Sequence, residues 1–169
     1  VFFKGCPLRC LWCHNPESLS YEMEIAKFEQ KCIRCGMCKG GKSRESAALC
    51  PTDALVTYGE EYDVDTLVSL LEKDRSFFEN SGGGVTLSGG EPLLQAEAVR
   101  ELFELCHGSG INTCLDTSGC ILSDGTKKLL SVTDRVLLDI KYTRSEDYQR
   151  YTGWEMPRVM EFLDYLDEQ

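Results

Sequence analysis

The chain has 169 residues, 42% of them hydrophobic and 27% charged, which is a globular composition rather than a disordered one. Its 28 Asp and Glu outnumber 18 Lys and Arg, leaving a net charge of −10, so phosphate backbones and anionic lipid repel it and nucleic acid is excluded as a first partner. No stretch approaches the roughly 18 apolar residues of a transmembrane helix, which excludes a helical membrane span.

In chain order, Val1-Phe2-Phe3 reads as a short strand that ends at Gly5 and feeds a loop carrying Cys6, Cys10 and Cys13. Residues 18–60 are polar and irregular, with a Gly/Lys/Ser-rich stretch over 39–46, the composition of an insert. They hold Cys32, Cys35, Cys38 and Cys50. Val64, Leu67, Val68 and Leu71 then repeat at helical spacing behind the capping candidate Asp63. Ser81-Gly82-Gly83-Gly84 breaks that helix, and Val85-Thr86-Leu87 predicts a buried strand leading to the turn Gly89-Gly90-Glu91-Pro92. Val99, Leu102, Phe103 and Cys106 mark another helix, stopped by Gly108 and Gly110. Thr113-Cys114-Leu115 is a strand, residues 125–130 a short helix, and Val136 to Ile140 a continuous apolar strand. Pro157 suits the first turn of a last helix with Met160, Phe162, Leu163 and Leu166 on its apolar face.

Buried strands alternating with helices predict βαβ units and a parallel sheet, an α/β fold. Without an insert of about 40 residues, about 130 remain, room for roughly four βα units where a closed (β/α)₈ barrel takes about 250. A partial (β/α) barrel is therefore expected, formed by residues 1–17 and 61–169, with 18–60 as a small cysteine-rich insert. The chain opens at Val1 inside an apolar run without an initiator Met and reads as the interior of a longer protein.

Seven of the ten cysteines crowd into the first 50 residues at spacings of two or three. Disulfides tend to close longer loops, whereas such clusters converge on metal, so a reduced, intracellular protein is expected. Cys6-x₃-Cys10-x₂-Cys13 places three thiolates on one loop at a strand's C-terminal end, where α/β sites form. Three thiolates can hold three irons of a [4Fe–4S] cubane and leave the fourth iron open. Spacing favours that cluster over zinc, although His14 stands next door as a fourth zinc ligand. Cys32-x₂-Cys35-x₂-Cys38 with Cys50-Pro51 is similar to a ferredoxin cluster motif, with a longer last gap; one auxiliary [4Fe–4S] cluster is the simplest reading and Cys₄ zinc the alternative. Cys106, Cys114 and Cys120 lack ligand spacing and are expected as core or near-surface thiols.

The stretch Phe3-Lys4-Gly5-Cys6-Pro7-Leu8-Arg9-Cys10-Leu11-Trp12-Cys13-His14-Asn15-Pro16-Glu17 resembles the cluster loop of radical S-adenosylmethionine (SAM) enzymes, and more narrowly of glycyl radical enzyme activating enzymes of the pyruvate formate-lyase activating type. The family pattern CxxxCxΦC is met with Trp12 as the aromatic. Ser81 to Pro92 resembles the family's second-strand signature, and Asp116-Thr117-Ser118-Gly119 and Asp139-Ile140-Lys141 resemble its later strand ends.

The resemblance implies that Cys6, Cys10 and Cys13 hold the SAM-binding [4Fe–4S] cluster and that Trp12 and His14 lie against SAM. It implies that Gly89, Gly90 and Glu91 receive the amino group of SAM. Asp139 and Lys141 would contact SAM or a substrate peptide, and Asp116 and Thr117 with Asp139 would hold a cation. The implied activity is reductive cleavage of SAM and hydrogen abstraction from a glycine of a partner glycyl radical enzyme. A flavodoxin or ferredoxin would be the electron donor, in the cytoplasm. A radical SAM enzyme with another substrate and a ferredoxin-like electron carrier are the alternatives. The resemblance covers nearly all of this chain but only about half of a family member.

Overall fold

A computed structural model describes residues 1–169. β1 (Phe2–Phe3) leads into the first cysteine loop, and the insert contributes β2 (Glu24–Lys27), α1 (Arg44–Ala48) and β3 (Leu55–Tyr58). Two helices follow, α2 (Val64–Leu71) and α3 (Arg75–Ser81), then β4 (Gly84–Gly89), α4 (Ala96–Gly108), β5 (Asn112–Thr117), α5 (Asp124–Leu130) and β6 (Arg135–Leu138). The chain finishes with α6 (Ser145–Thr152) and α7 (Met156–Asp167).

Local chemistry sets these boundaries. The Asp63 carboxylate accepts from the Thr66 amide at 2.8 Å and starts α2, and Ser123 caps α5 by accepting from the Thr126 amide at 3.1 Å. Gly82, left-handed at φ 64°, ends α3. Pro157 sits in the first turn of α7, where its missing amide costs no helix bond.

The main sheet is parallel with order β1-β4-β5-β6, each new strand added beside the last, as in the wall of a barrel that does not close. Phe2 pairs with Ser88, Leu87 with Leu115, and Asp116 with Leu137. The helices cover one face only. Val85, Leu87 and Leu115 point into that layer and pack with Val99, Leu102, Phe103, Cys106, Leu129 and Phe162 in the core.

The opposite face is open, which corrects the expectation of a buried strand over Val85-Thr86-Leu87 and limits that of a continuous apolar one from Val136 to Ile140. Phe2, Ser88, Asp116 and Leu137 form one row across the sheet, with Phe2 83% and Leu137 50% exposed. Thr86 is also exposed and β6 has no buried residue, because one helical layer can cover one face and no more.

Three other departures have local causes. The insert is not irregular throughout: β2 and β3 pair antiparallel from Glu24–Tyr58 to Lys27–Leu55. β6 stops at Leu138, although the Asp139 amide still donates to Thr117 O at 2.9 Å. α6 has no apolar stripe to announce it and buries only Tyr148 and Thr152. On α7 the buried residues are Val159 and Phe162, with Met160, Leu163 and Leu166 half-buried. No helix is long and apolar enough to cross a membrane.

Candidate functional site

The cysteine loop leaves β1 and is laced down on both sides. The Gly5 amide donates to Ser18 O at 2.8 Å and the Cys6 amide to Leu19 O at 3.2 Å. The Arg9 and Leu11 amides donate to Thr152 O at 2.7 Å and Tyr151 O at 3.0 Å, the last carbonyls of α6. A helix end leaves such carbonyls without intrahelical partners, so α6 offers them to the loop flanking Cys10.

The turn after β4 meets the same loop. The Gly90 amide donates to Phe3 O at 2.8 Å and the Glu91 amide to Gly5 O at 2.7 Å. Gly89 has φ 105°, and a Cβ on Gly90 would lie 2.2 Å from Gly5 O, so both positions require glycine to let β1 and β4 end this close together.

A cleft of about 240 Å³ opens where the strand ends converge, and it is lined by Cys6, Cys10, Trp12, Cys13, His14, Gly89, Gly90, Glu91, Asp116, Asp139 and Lys141 together with Thr117. All the residues expected in the first site are thus gathered from the loop after β1 and the C-terminal ends of β4, β5 and β6. Larger hollows of about 570 and 540 Å³ lie along α6 and α7; they contain none of these residues, and the chemistry places the site in the smaller cleft.

Within the cleft, Glu91 does not stand free. It is 1% exposed, and its carboxylate accepts from Thr117 Oγ1 at 2.6 Å, the Ser118 amide at 3.0 Å, Ser118 Oγ at 2.5 Å and the Leu93 amide at 3.2 Å. Both oxygens are engaged inside the protein, so the carboxylate ties the Gly-Gly turn to the end of β5. The cation grouping is not formed. Asp116 accepts from Ser88 Oγ at 2.7 Å, Asp139 is paired with Lys141, and no three His, Cys, Asp or Glu side chains come together around a single ion.

The chemistry of the donors bears on what the first cysteine loop fits. A tetrahedral zinc site needs thiolates about 3.8 Å apart, given Zn–S bonds of about 2.3 Å. A cubane binds each thiolate at a different iron and spreads them wider. Three cysteines on one loop at the mouth of a shared cleft fit the cluster.

Electrostatics tie the loop to the β6 end. Burial pushes the Cys6 thiol up, and Glu91, Cys10 and Cys13 add to that against the Leu8 amide. Burial pushes Cys10 up as well, with the Lys141 ammonium opposing. Burial pulls Lys141 down, but its bond to Asp139 and the charges of Cys10 and Asp116 outweigh it and hold the ammonium above the ordinary lysine range. Trp12 stands edge-on to Tyr142 with centroids 5.5 Å apart, and Tyr142 stacks on Tyr151 at 5.1 Å, forming an aromatic wall beside the cleft. The sequence reading missed Tyr142 and Tyr151, which have no motif of their own.

In the insert, Cys35 is exposed while Cys32, Cys38 and Cys50 are half-buried, and none lines the cleft. The Cys50 sulfur accepts from the Ala54 amide at 3.2 Å, and the amides of Thr52 and Leu55, ahead of that of Ala54, hold its thiol below the ordinary cysteine range. Arg34, Lys39 and Asp53 are left-handed at φ 55°, 47° and 50°, the only residues other than glycine that are, and each lies within three residues of one of these cysteines. Cys106 and Cys120 are buried in the core and Cys114 half-buried.

The sheet is parallel with a three-cysteine loop after its first strand, and the profile of the Radical SAM superfamily matches residues 1–168. The chain belongs to that superfamily. It is 37% identical over 166 residues to the pyruvate formate-lyase 2-activating enzyme of Escherichia coli, covering 98% of this chain and 55% of that protein. It is 36% identical to the choline trimethylamine-lyase activating enzyme of Oleidesulfovibrio alaskensis, covering 99% and 62%, and 35% identical to the (2S)-3-sulfopropanediol dehydratase activating enzyme of Klebsiella oxytoca, covering 96% and 60%. The chain therefore spans about 55–62% of the length of these relatives. Among solved structures, Streptococcus suis SuiB bound to S-adenosylmethionine aligns with TM-score 0.53 at 17% identity, over 66% of this chain and 26% of that one, a likeness of fold.

Proposed function

We propose that this chain belongs to a glycyl radical enzyme activating enzyme, with residues 1–17 and 61–169 forming the SAM-binding part and 18–60 an iron–sulfur insert. The observation that carries the reading is the cleft at the four strand ends, where three cysteines, Trp12, His14, the Gly89-Gly90 turn and the Asp139–Lys141 pair meet. The curated relatives named as activating enzymes match nearly the whole chain, which supports the same reading.

Cys6, Cys10 and Cys13 would hold a [4Fe–4S] cluster, and Trp12, His14 and the Gly89-Gly90 backbone would flank SAM. When bound, these groups supply an electron to the SAM sulfonium and a 5′-deoxyadenosyl radical that takes hydrogen from a glycine Cα of the partner enzyme. Lys141 presents an ammonium, charge-matched to the carboxylate of SAM, and Asp139 orients it. Asp116 stands on the open face beside Ser88 and lines the approach to the cleft. Glu91 acts through the turn, keeping Gly90 against β1.

Cys32, Cys35, Cys38 and Cys50 would hold one auxiliary [4Fe–4S] cluster, which relays an electron or shapes the partner interface. A flavodoxin or ferredoxin in the cytoplasm would be the donor, and the charge of −10 suits a basic patch on a partner.

The test is anaerobic reconstitution with iron and sulfide quantification, followed by low-temperature EPR before and after SAM. About eight irons per chain and a signal altered by SAM are expected for two [4Fe–4S] clusters, one with an open iron. Zinc in place of iron overturns the reading. A glycyl radical signal raised in a partner enzyme separates an activase from a radical SAM enzyme with another substrate and from an electron carrier.

A further inference from the structure

We propose that the groove along α6 and α7 docks a basic amphipathic helix of a partner polypeptide, seated on a floor that includes two methionines and held by a row of unpaired carboxylates. The inference does not rest on the cluster reading, because none of the seven cysteines of the two sets lies in the groove.

Two hollows, of about 570 and 540 Å³, adjoin at Leu122 and Glu161, which line both. The floor of the larger one is Leu122, Met156, Pro157 and Met160. Leu122 also packs against the core, whereas Met156 and Met160 are half-buried and take no part in it. Their side chains are thus committed to the groove. Methionine is flexible and polarisable, and it adapts to the shape of an incoming apolar surface.

The rim of that hollow carries Glu161, Asp164 and Glu168, all exposed and none in an ion pair. Steps of three and four residues put them on one face of α7, over a length of roughly 10 Å. Like charges at these spacings repel, and Asp164, Asp167 and Glu168 crowd the C-terminal end of the helix, where the macrodipole favours cations. No basic residue stands in that last turn. Two cations lie nearby and neither answers the row: Arg158 pairs with Glu155 at 3.6 Å, and Lys127 sits over the Tyr165 ring at 5.4 Å without reaching a carboxylate.

The row therefore works against its own helix and is not compensated within the chain, the kind of local conflict that marks a surface kept for function. Its charge repels nucleic acid and anionic lipid, which leaves a polypeptide. Apolar floor and carboxylate rim together match a helix with apolar side chains on one face and Lys or Arg beside them, laid into the groove.

The test is a fluorescence-anisotropy titration of the 169-residue chain with a labelled amphipathic helix built of Leu and Lys, beside a control helix of Leu and Glu. The Lys probe is expected to bind and the Glu probe not. Asp164→Lys with Glu168→Lys should weaken binding at least about tenfold, and Met160→Gln about threefold or more. Glu61→Lys with Glu101→Lys changes the net charge equally at exposed, unpaired positions elsewhere and should weaken it less than about twofold. The protein with the reversed row should melt no lower than wild type, since repulsion along α7 is relieved. No binding of the Lys probe overturns the inference. So does equal weakening by the two reversals, which makes the attraction one of overall charge, or binding indifferent to Met160→Gln, which leaves the floor unused. A lower melting point of the reversed-row protein would mean that the row serves the fold. A homodimer in sedimentation that the reversal breaks would make a second copy the occupant, and either result overturns the proposal. Iron content enters none of these readings, so failure here leaves the cluster reading standing, and failure there leaves this one.

Discussion

At the scale of single residues, the end of β5 and the Gly-Gly turn are joined by one carboxylate. Replacing Glu91 with Ala leaves the Ser118 amide and hydroxyl, Thr117 Oγ1 and the Leu93 amide without their acceptor in a site water does not reach. The expected loss is on the order of 3 kcal/mol in urea unfolding, with Glu91→Gln losing less because one oxygen remains to accept. Gly90→Ala forces a Cβ against Gly5 O and costs about 1–3 kcal/mol, with the cysteine loop displaced as well. The motif at 89–91 was legible in the sequence, but the work of its glutamate was not, since Thr117 and Ser118 lie 26 and 27 residues away. A second buttress ties α4 to β5. Asp134 accepts from the Thr113 amide at 2.7 Å and meets His107 Nε2 at 2.9 Å; burial pushes its carboxyl up, but these bonds prevail and hold it below the ordinary aspartate range. The unfolded chain then binds the proton more readily than the folded one, so this contribution is present above the ordinary aspartate pKa and is lost as pH falls through the folded value. Urea midpoints measured downward from pH 6 should fall less steeply for Asp134→Asn than for wild type.

At the scale of elements, the parts with strong periodicity were readable and the parts built on long-range pairing were not. α2, α4 and α7 follow from apolar residues at helical spacing and from Asp63 and Pro157 at their starts. β2 and β3 escape because neither four-residue segment alternates clearly, and Glu24 finds Tyr58 only across the whole insert. α6 escapes because its single buried face is a tyrosine and a threonine. Both hidden features belong to the cysteine loops: the β2–β3 ribbon closes the insert at its base, and α6 clamps the loop around Cys10. The left-handed residues beside the insert's cysteines store roughly 1 kcal/mol or more each, strain that a ligand gathering four thiolates would justify. Cys50→Ala should lower iron from about eight to about four per chain while the SAM-responsive EPR signal of the other cluster persists. Loss of both signals would mean that the two cysteine sets do not act as separate sites.

At the scale of the whole molecule, one helical layer backs a four-stranded sheet whose other face and last strand stay uncovered. A parallel sheet is ordinarily shielded on both faces, and the row Phe2, Ser88, Asp116, Leu137 is where shielding is missing. The cleft shares that openness. At about 240 Å³ it falls short of the roughly 300–1,000 Å³ of sites that enclose a small molecule, while its chemistry sits on one wall. The proposed contacts lie on that wall, and the chain spans about 55–62% of the length of the relatives it matches. Contacts on one wall leave much of SAM in water, so ordering the ligand is offset by less buried surface. The reconstituted 169-residue chain should bind SAM at least tenfold more weakly than a full-length relative, about 1.4 kcal/mol, in anaerobic calorimetry. Equal affinity would mean that the loop after β1 and the ends of β4 to β6 already make every contact that counts.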